Sequence, residues 1–168
     1  MKSKFSKKLE LVTNAAIILA VAVLGYFLFQ KYFSAEGAPP VRPEIVRGTK
    51  ISLAGINWAQ NRRTLLLVLQ KNCPGCSNSM PFYKTLVEKS KGKEIQLVAV
   101  LPDSREEGIQ YLKENGVEIR EIRQVRRDEL NEVSVTPTLI LIDERGEVLI
   151  SWTGKLPSEK EKEVTDNL

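Results

Sequence analysis

The stretch LLLVLQKNCPGC, residues 65–76, decides the fold. Leu65 to Leu69 is an unbroken apolar run behind the turn-like Gln60-Asn61-Arg62-Arg63, the pattern of a short strand buried on both faces. It ends at Asn72-Cys73-Pro74-Gly75-Cys76. Beyond it Cys76, Met80, Tyr83, Leu86 and Val87 recur at helical spacing, so the strand leads into a helix with Cys76 on the core-facing stripe. Cys73 falls ahead of that stripe, at the helix mouth.

Working outward, Ile95 to Leu101 (IQLVAVL) reads as a second strand. Ser104 with Glu107 is a capping-box signature for a helix that stops at Asn115-Gly116, with Ile109 and Leu112 as its inner face. Thr138 to Ile142 and Glu147 to Trp152 are β-rich runs joined by Asp143-Glu144-Arg145-Gly146, a link that permits only an antiparallel hairpin. Ser158 and Glu161 cap a C-terminal helix carrying Val164 and Leu168 on one side. Residues 50–60 are expected to add an edge strand, and Val117 to Val133 another strand and a helical turn from Asp128. This order predicts an α/β domain: a mixed sheet with helices on both faces.

With 168 residues the chain holds one domain and an appendage. The net charge of +4 is concentrated in residues 1–10, where four lysines face one glutamate, leaving +1 for the rest. A nucleic-acid partner is therefore not expected, since phosphate tracking needs positive charge on the folded surface. Leu11 to Phe29 is 19 residues without a charge, about 28 Å as a helix and close to the hydrocarbon thickness of a bilayer. The reading is a basic cytoplasmic tail over 1–10, a transmembrane signal-anchor over 11–33, a Pro-rich linker over 34–46 and a folded domain over 47–168. The lysine bias places the domain on the extracytoplasmic side of a bacterial inner membrane. A cleaved signal peptide competes, but its apolar core would be shorter and Ala35-Glu36-Gly37 is a weak cleavage site.

The chain has no histidine, which excludes Ser-His-Asp and Cys-His nucleophiles and imidazole zinc sites. Its two cysteines, Cys73 and Cys76, close too small a loop to stabilise the fold much as a disulfide. Their spacing suits exchange: the first thiolate attacks a client disulfide and the second resolves the mixed disulfide. Backbone amides and the dipole at a helix N-terminus lower a thiol pKa, and Lys71 is placed to assist. Pro74 suits the first helical turn. Zinc needs two further ligands, so neither a metal nor another cofactor is expected. Met80 reads as core, as do Trp58 and Trp152. Arg120, Arg123, Arg126 and Arg127, offset by Asp128, Glu129 and Glu132, read as a solvated face, with an acidic client or anionic lipid as the sharper alternative.

These residues resemble the thioredoxin superfamily, in particular its membrane-anchored TlpA/ResA-like thiol-disulfide oxidoreductases. The resemblance covers residues 48–154 and rests on Leu65–Leu69 leading into C73-P-G-C76, on Pro81 where the family helix kinks, on Thr136-Pro137-Thr138 opening a strand, and on Gly146 with Trp152-Thr153-Gly154. It implies that Cys73 attacks, that Cys76 resolves, and that Pro137 is a cis-proline binding the client backbone, with Thr136 tuning the cysteines. It further implies reduction of cysteine-containing client proteins, cytochrome c maturation among the pathways, with electrons from a membrane thiol carrier of the DsbD/CcdA type. Two features depart from the family: Asn72 replaces its frequent tryptophan, and the preceding strand lacks its buried acid, leaving the proton acceptor for Cys76 unassigned.

The competing readings are a membrane-tethered Cu(I) metallochaperone, a thiol peroxidase, and an inactive thioredoxin-like adaptor. Gln70 stands where peroxiredoxins carry a threonine, which counts against the second.

Overall fold

The computed structural model describes residues 13–26 and 44–168, which belong to two separate units. In the first, residues 13–26 form a helix, α1. Its Ile17, Ile18, Leu19 and Leu24 are exposed. Among the described residues no helix is long and apolar enough to cross a membrane. The remainder of the expected 11–33 span, the tail over 1–10 and most of the 34–46 linker lie outside the described residues.

The second unit contains strands β1 (Arg63–Val68), β2 (Ile95–Leu101), β3 (Glu121–Gln124), β4 (Thr138–Asp143) and β5 (Val148–Thr153). They form one sheet in the order β3-β2-β1-β4-β5. β1, β2 and β3 are parallel; β4 runs antiparallel to β1, and β5 to β4. β1 is central, which explains its unbroken apolar run: Leu65 and Leu67 enter one core and Leu66 and Val68 the other. Each fully buried leucine contributes about 1.5–3 kcal/mol relative to exposure.

Four helices accompany the sheet: α2 (Pro74–Asn78), α3 (Met80–Ser90), α4 (Arg105–Glu114) and α5 (Ser158–Asp166). The expectation of helices on both faces needs correction. Tyr83 and Leu86 of α3, Tyr111 and Leu112 of α4, and Val164 of α5 all join one core, on the Leu65/Leu67 face. The reason is topological: β1, β2 and β3 step in one direction, so two right-handed crossovers leave α3 and α4 on the same side. The other face is covered by the segment around Ile51, Leu53 and Trp58, by Leu130 and Val133, and by short 3-10 turns at Trp58–Gln60 and Arg127–Glu129.

Several local expectations hold, and several shift. The capping box of Ser104 and Glu107 is present at α4, which ends at Asn115 with Gly116 at φ 67°. Leu112 is buried as expected, but Ile109 is 38% exposed and Tyr111 takes its inward place. Helix α5 is preceded by Pro157 as its N-cap rather than Ser158, and lacks a side-chain cap. Residues 50–60 make one bridge, Lys50 to Glu147, in place of an edge strand. The preceding chain is nonetheless laced along β5: Ile45 N–H donates to Ser151 Oγ at 2.8 Å, Gly48 N–H to the Val148 carbonyl at 2.8 Å, and Ile51 N–H to the Gly146 carbonyl at 2.8 Å. The β4–β5 turn is closed by the Asp143 carboxylate, which accepts the Arg145 and Glu147 amides, both at 2.9 Å.

Candidate functional site

The site forms where β1 ends. Leu69 N–H still donates to the Val100 carbonyl, after which the chain leaves the sheet and Cys73 becomes the N-cap of α2, with an extended backbone at φ −107°, ψ 110°. Pro74 opens the helix, where a missing N–H costs nothing. The helix then breaks: Ser79 is at once the C-cap of α2 and the N-cap of α3, and its Oγ donates to the Gly75 carbonyl at 2.8 Å. Pro81 enforces the break, because it has no N–H to continue the ladder and its ring crowds the preceding turn. The result is a five-residue helix with Cys73 as its N-cap and Cys76 within it.

Cys76 is completely buried, whereas Cys73 is half-buried at the mouth. The Cys76 amide donates to Cys73 Sγ at 3.1 Å, and in its thiol form Cys73 donates to the Thr136 carbonyl at 3.3 Å. The Thr136–Pro137 peptide bond is cis. An added Cβ on Gly75 would meet Pro137 Cδ at 3.1 Å and Cys73 Sγ at 3.8 Å, so a residue with no side chain is what lets the proline loop close over the dithiol. Gly154 N–H donates to the Pro137 carbonyl at 2.6 Å, fixing that loop from the end of β5. The structure thus brings Cys73, Cys76, Thr136 and Pro137 together, and it adds Gly75 and Gly154. The sequence signal for Gly154 was the Trp152-Thr153-Gly154 run; Gly75 had no signal beyond its place between the cysteines.

The two thiols are driven apart in acidity. Burial alone would raise the Cys73 pKa, but hydrogen bonds from the Cys76 thiol, the Thr136 hydroxyl and the Cys76 and Gly75 amides outweigh it and hold Cys73 below its ordinary value. Burial, and then the hydrogen bond to Cys73, push Cys76 up to about 12. The expected contribution of a helix dipole is small because α2 is one turn and a half; the local amides do the stabilising. Lys71 does not assist Cys73: its Nζ pairs with Glu107 at 3.2 Å. The groups that bear most on Cys76 are Cys73, the Gln70 backbone and Thr136, none of them a carboxylate.

Other candidates fall elsewhere. Met80 and Trp152 are core residues, and Trp58 is half-buried against Gly146. Arg123 pairs with Glu121, and Arg126 with Asp128 and Glu129. Among the described residues no group of three or more histidine, cysteine or acidic side chains is placed to hold a metal ion.

A model of the thioredoxin-like domain matches residues 57–168. The chain belongs to this thioredoxin-like family. A comparison with curated proteins gives no match. Among solved structures, the chain is similar to a Chlorobium tepidum protein provisionally named thiol:disulfide interchange protein DsbE, with 25% identity, a TM-score of 0.58, and coverage of 73% of this chain and 96% of that one. It is also similar to StoA from Bacillus subtilis (20% identity, TM-score 0.52, 75% and 99% covered) and to a thiol-disulfide isomerase from Corynebacterium glutamicum (16%, 0.54, 75% and 94%). The last two similarities concern the fold alone. A thioredoxin-like domain with an acidic outer thiol over a buried inner one is a thiol-disulfide oxidoreductase.

Proposed function

We propose that this thioredoxin-like oxidoreductase is a membrane-anchored, extracytoplasmic reductase of client disulfides. The carrying observation is the pairing of a half-buried Cys73, whose sulfur accepts the Cys76 amide at 3.1 Å, with a fully buried Cys76 behind it. The Cys73 thiolate attacks one sulfur of a client disulfide, forming the Cys73–client bond and expelling the other client sulfur as thiolate. Cys76 then gives up its proton and attacks the Cys73 sulfur, closing the Cys73–Cys76 disulfide and releasing the client. Two electrons pass to the client, and since none of the groups that bear most on Cys76 is a carboxylate, the expelled thiolate is the natural proton acceptor. A membrane thiol carrier resets the pair.

Anchoring is supported by the 19-residue uncharged stretch from Leu11 to Phe29 behind four lysines, and the compartment by the lysine bias. Trapping tests the reading: the Cys76→Ala chain, expressed with its N-terminus intact, should accumulate in the membrane fraction disulfide-linked through Cys73 to client proteins. Recovery of the chain in the cytosol with nothing linked to it would refute both the location and the chemistry. Among the described residues no histidine or acidic side chain joins Cys73 and Cys76 in a group that could hold a metal ion, and nothing favours the copper reading over exchange.

A further inference from the structure

We infer that the groove between α3 and α4 binds a long-chain fatty carboxylate, with the alkyl chain over its apolar lining and the carboxylate at Lys113 and Arg120. This site is separate from the dithiol and does not depend on the reading above. The groove has a volume of about 890 Å³, within the roughly 300–1,000 Å³ of small-molecule sites. It lies at the N-terminal ends of β2 and β3, whereas Cys73 follows the C-terminal end of β1. Val87 of α3, Leu97 of β2, Ile109 and Leu112 of α4, and Ile119 and Ile122 line it. Helix α4 buries Gly108, Tyr111 and Leu112, so Ile109 and Lys113, four positions apart, form its open flank. Ile109 is the large apolar side chain that this helix leaves exposed.

Two observations select the occupant. The first is charge. Lys91, Lys113 and Arg120 line the groove with Glu118 and Glu121. Lys91 is engaged by Glu88 at 2.7 Å and Glu121 by Arg123. Among the described residues the side chains of Lys113, Arg120 and Glu118 have no ion-pair or hydrogen-bond partner. Two free cations against one free carboxylate leave a place for an anion, and the planar guanidinium of Arg120 matches a carboxylate in geometry. The second is the state of the polar lining. Ser90 Oγ donates to the Val87 carbonyl at 2.8 Å, and Asn61 Nδ2 donates to Gln96 Oε1. With these groups occupied by each other, a peptide laid in the groove would bury backbone amides that find few partners, whereas an alkyl chain has none to satisfy. Each methylene buried strengthens binding about fourfold, which favours a long chain.

The test uses the full-length chain in phosphatidylcholine nanodiscs and hexadecanoic acid bearing a diazirine near the end of its chain, with the photoadducts mapped by mass spectrometry. Adducts are expected on α3, on α4 and on residues 117–122. The acid should label these segments about tenfold more than the matching hexadecanol probe, and an octanoic acid probe should label them about tenfold less than hexadecanoic acid. Arg120→Gln combined with Lys113→Gln should bring the acid-to-alcohol ratio to about one, and Ile109→Asp should cut labelling by the acid about tenfold. Equal labelling by acid and alcohol in the native chain, or no adduct in the groove, overturns the inference and leaves the dithiol reading standing. Displacement of the probe by poly-glutamate but not by unlabelled hexadecanoate would assign the groove to an acidic peptide and overturn it. A diazirine phosphatidylglycerol that labels the groove where hexadecanoic acid does not would assign it to the bilayer surface, again overturning it.

Discussion

Cys73 Sγ and the carbonyl oxygen of Thr136 lie 3.3 Å apart although 63 positions separate them in the chain. This approach brings the cis-proline loop onto the dithiol, and with it the Thr136 hydroxyl that favours the Cys73 thiolate. Replacing that hydroxyl should therefore make Cys73 less acidic. In Thr136→Val the pH midpoint of iodoacetamide alkylation at Cys73, read with Cys76→Ala as background, is expected to move upward. An unmoved midpoint would mean that the amides of Cys76 and Gly75 suffice.

The opposed thiols predict a pH dependence of stability for the reduced protein. Cys73 has a folded pKa below its unfolded value, so its contribution grows as pH rises through the folded pKa toward 9.0 and is lost as pH falls through it. Cys76 has a folded pKa above its unfolded value: its contribution is complete below 9.0 and is lost as pH climbs toward about 12. Denaturant melts between pH 8 and pH 11 should show a smaller alkaline loss of stability in Cys76→Ala than in Cys73→Ala, the part common to both coming from Tyr83 and Tyr111, whose pKa values burial also raises. Identical slopes in the two variants would contradict the assignment.

Gly75→Ala places a methyl group 3.1 Å from Pro137 Cδ. Either α2 or the proline loop must yield, at a cost of about 1–3 kcal/mol. Exchange with client disulfides should slow in parallel, because the displaced loop no longer flanks Cys73. Full activity with undiminished stability would show that the loop is compliant.

At Gly146 the backbone has φ +81°, and a Cβ would sit 2.8 Å from Trp58 Cδ1. Gly146→Ala should destabilise by about 1–3 kcal/mol and alter Trp58 fluorescence, while the thiol chemistry at the opposite end of β4 keeps its rate. Urea unfolding followed by tryptophan emission reads both effects.

Ser104→Ala removes the side chain that caps α4 and is expected to cost about 0.5–2 kcal/mol. Ser104→Asp should recover most of it. A loss that Asp does not restore would point to something other than capping.

Local chemistry was the legible part of the sequence. Strand β2 matches the IQLVAVL run end to end, and the capping box and the Cys73 N-cap follow from spacing and side-chain type. What escaped depends on choices made far away. Whether a helix lands above or below the sheet is set by the strand order, which no residue of α4 announces. Tyr111 turned inward in place of Ile109, where its hydroxyl meets Ser77 of α2, and Lys71 was lost to Cys73 because Glu107 of another element stands within its reach. In the site, both cysteines were readable from their spacing. The closeness of Gly75 to Pro137 was not, since it is a property of two loops meeting.

The lacing of residues 45–51 along β5 fixes where mechanical load enters the domain. Ile45 is fastened to Ser151, two residues before the end of β5 that abuts the Pro137 loop, and the chain then runs antiparallel to that strand toward Gly146. Tension drawn through the N-terminus thus reaches the described part of the domain first at Ile45, on the strand whose end adjoins the Pro137 loop.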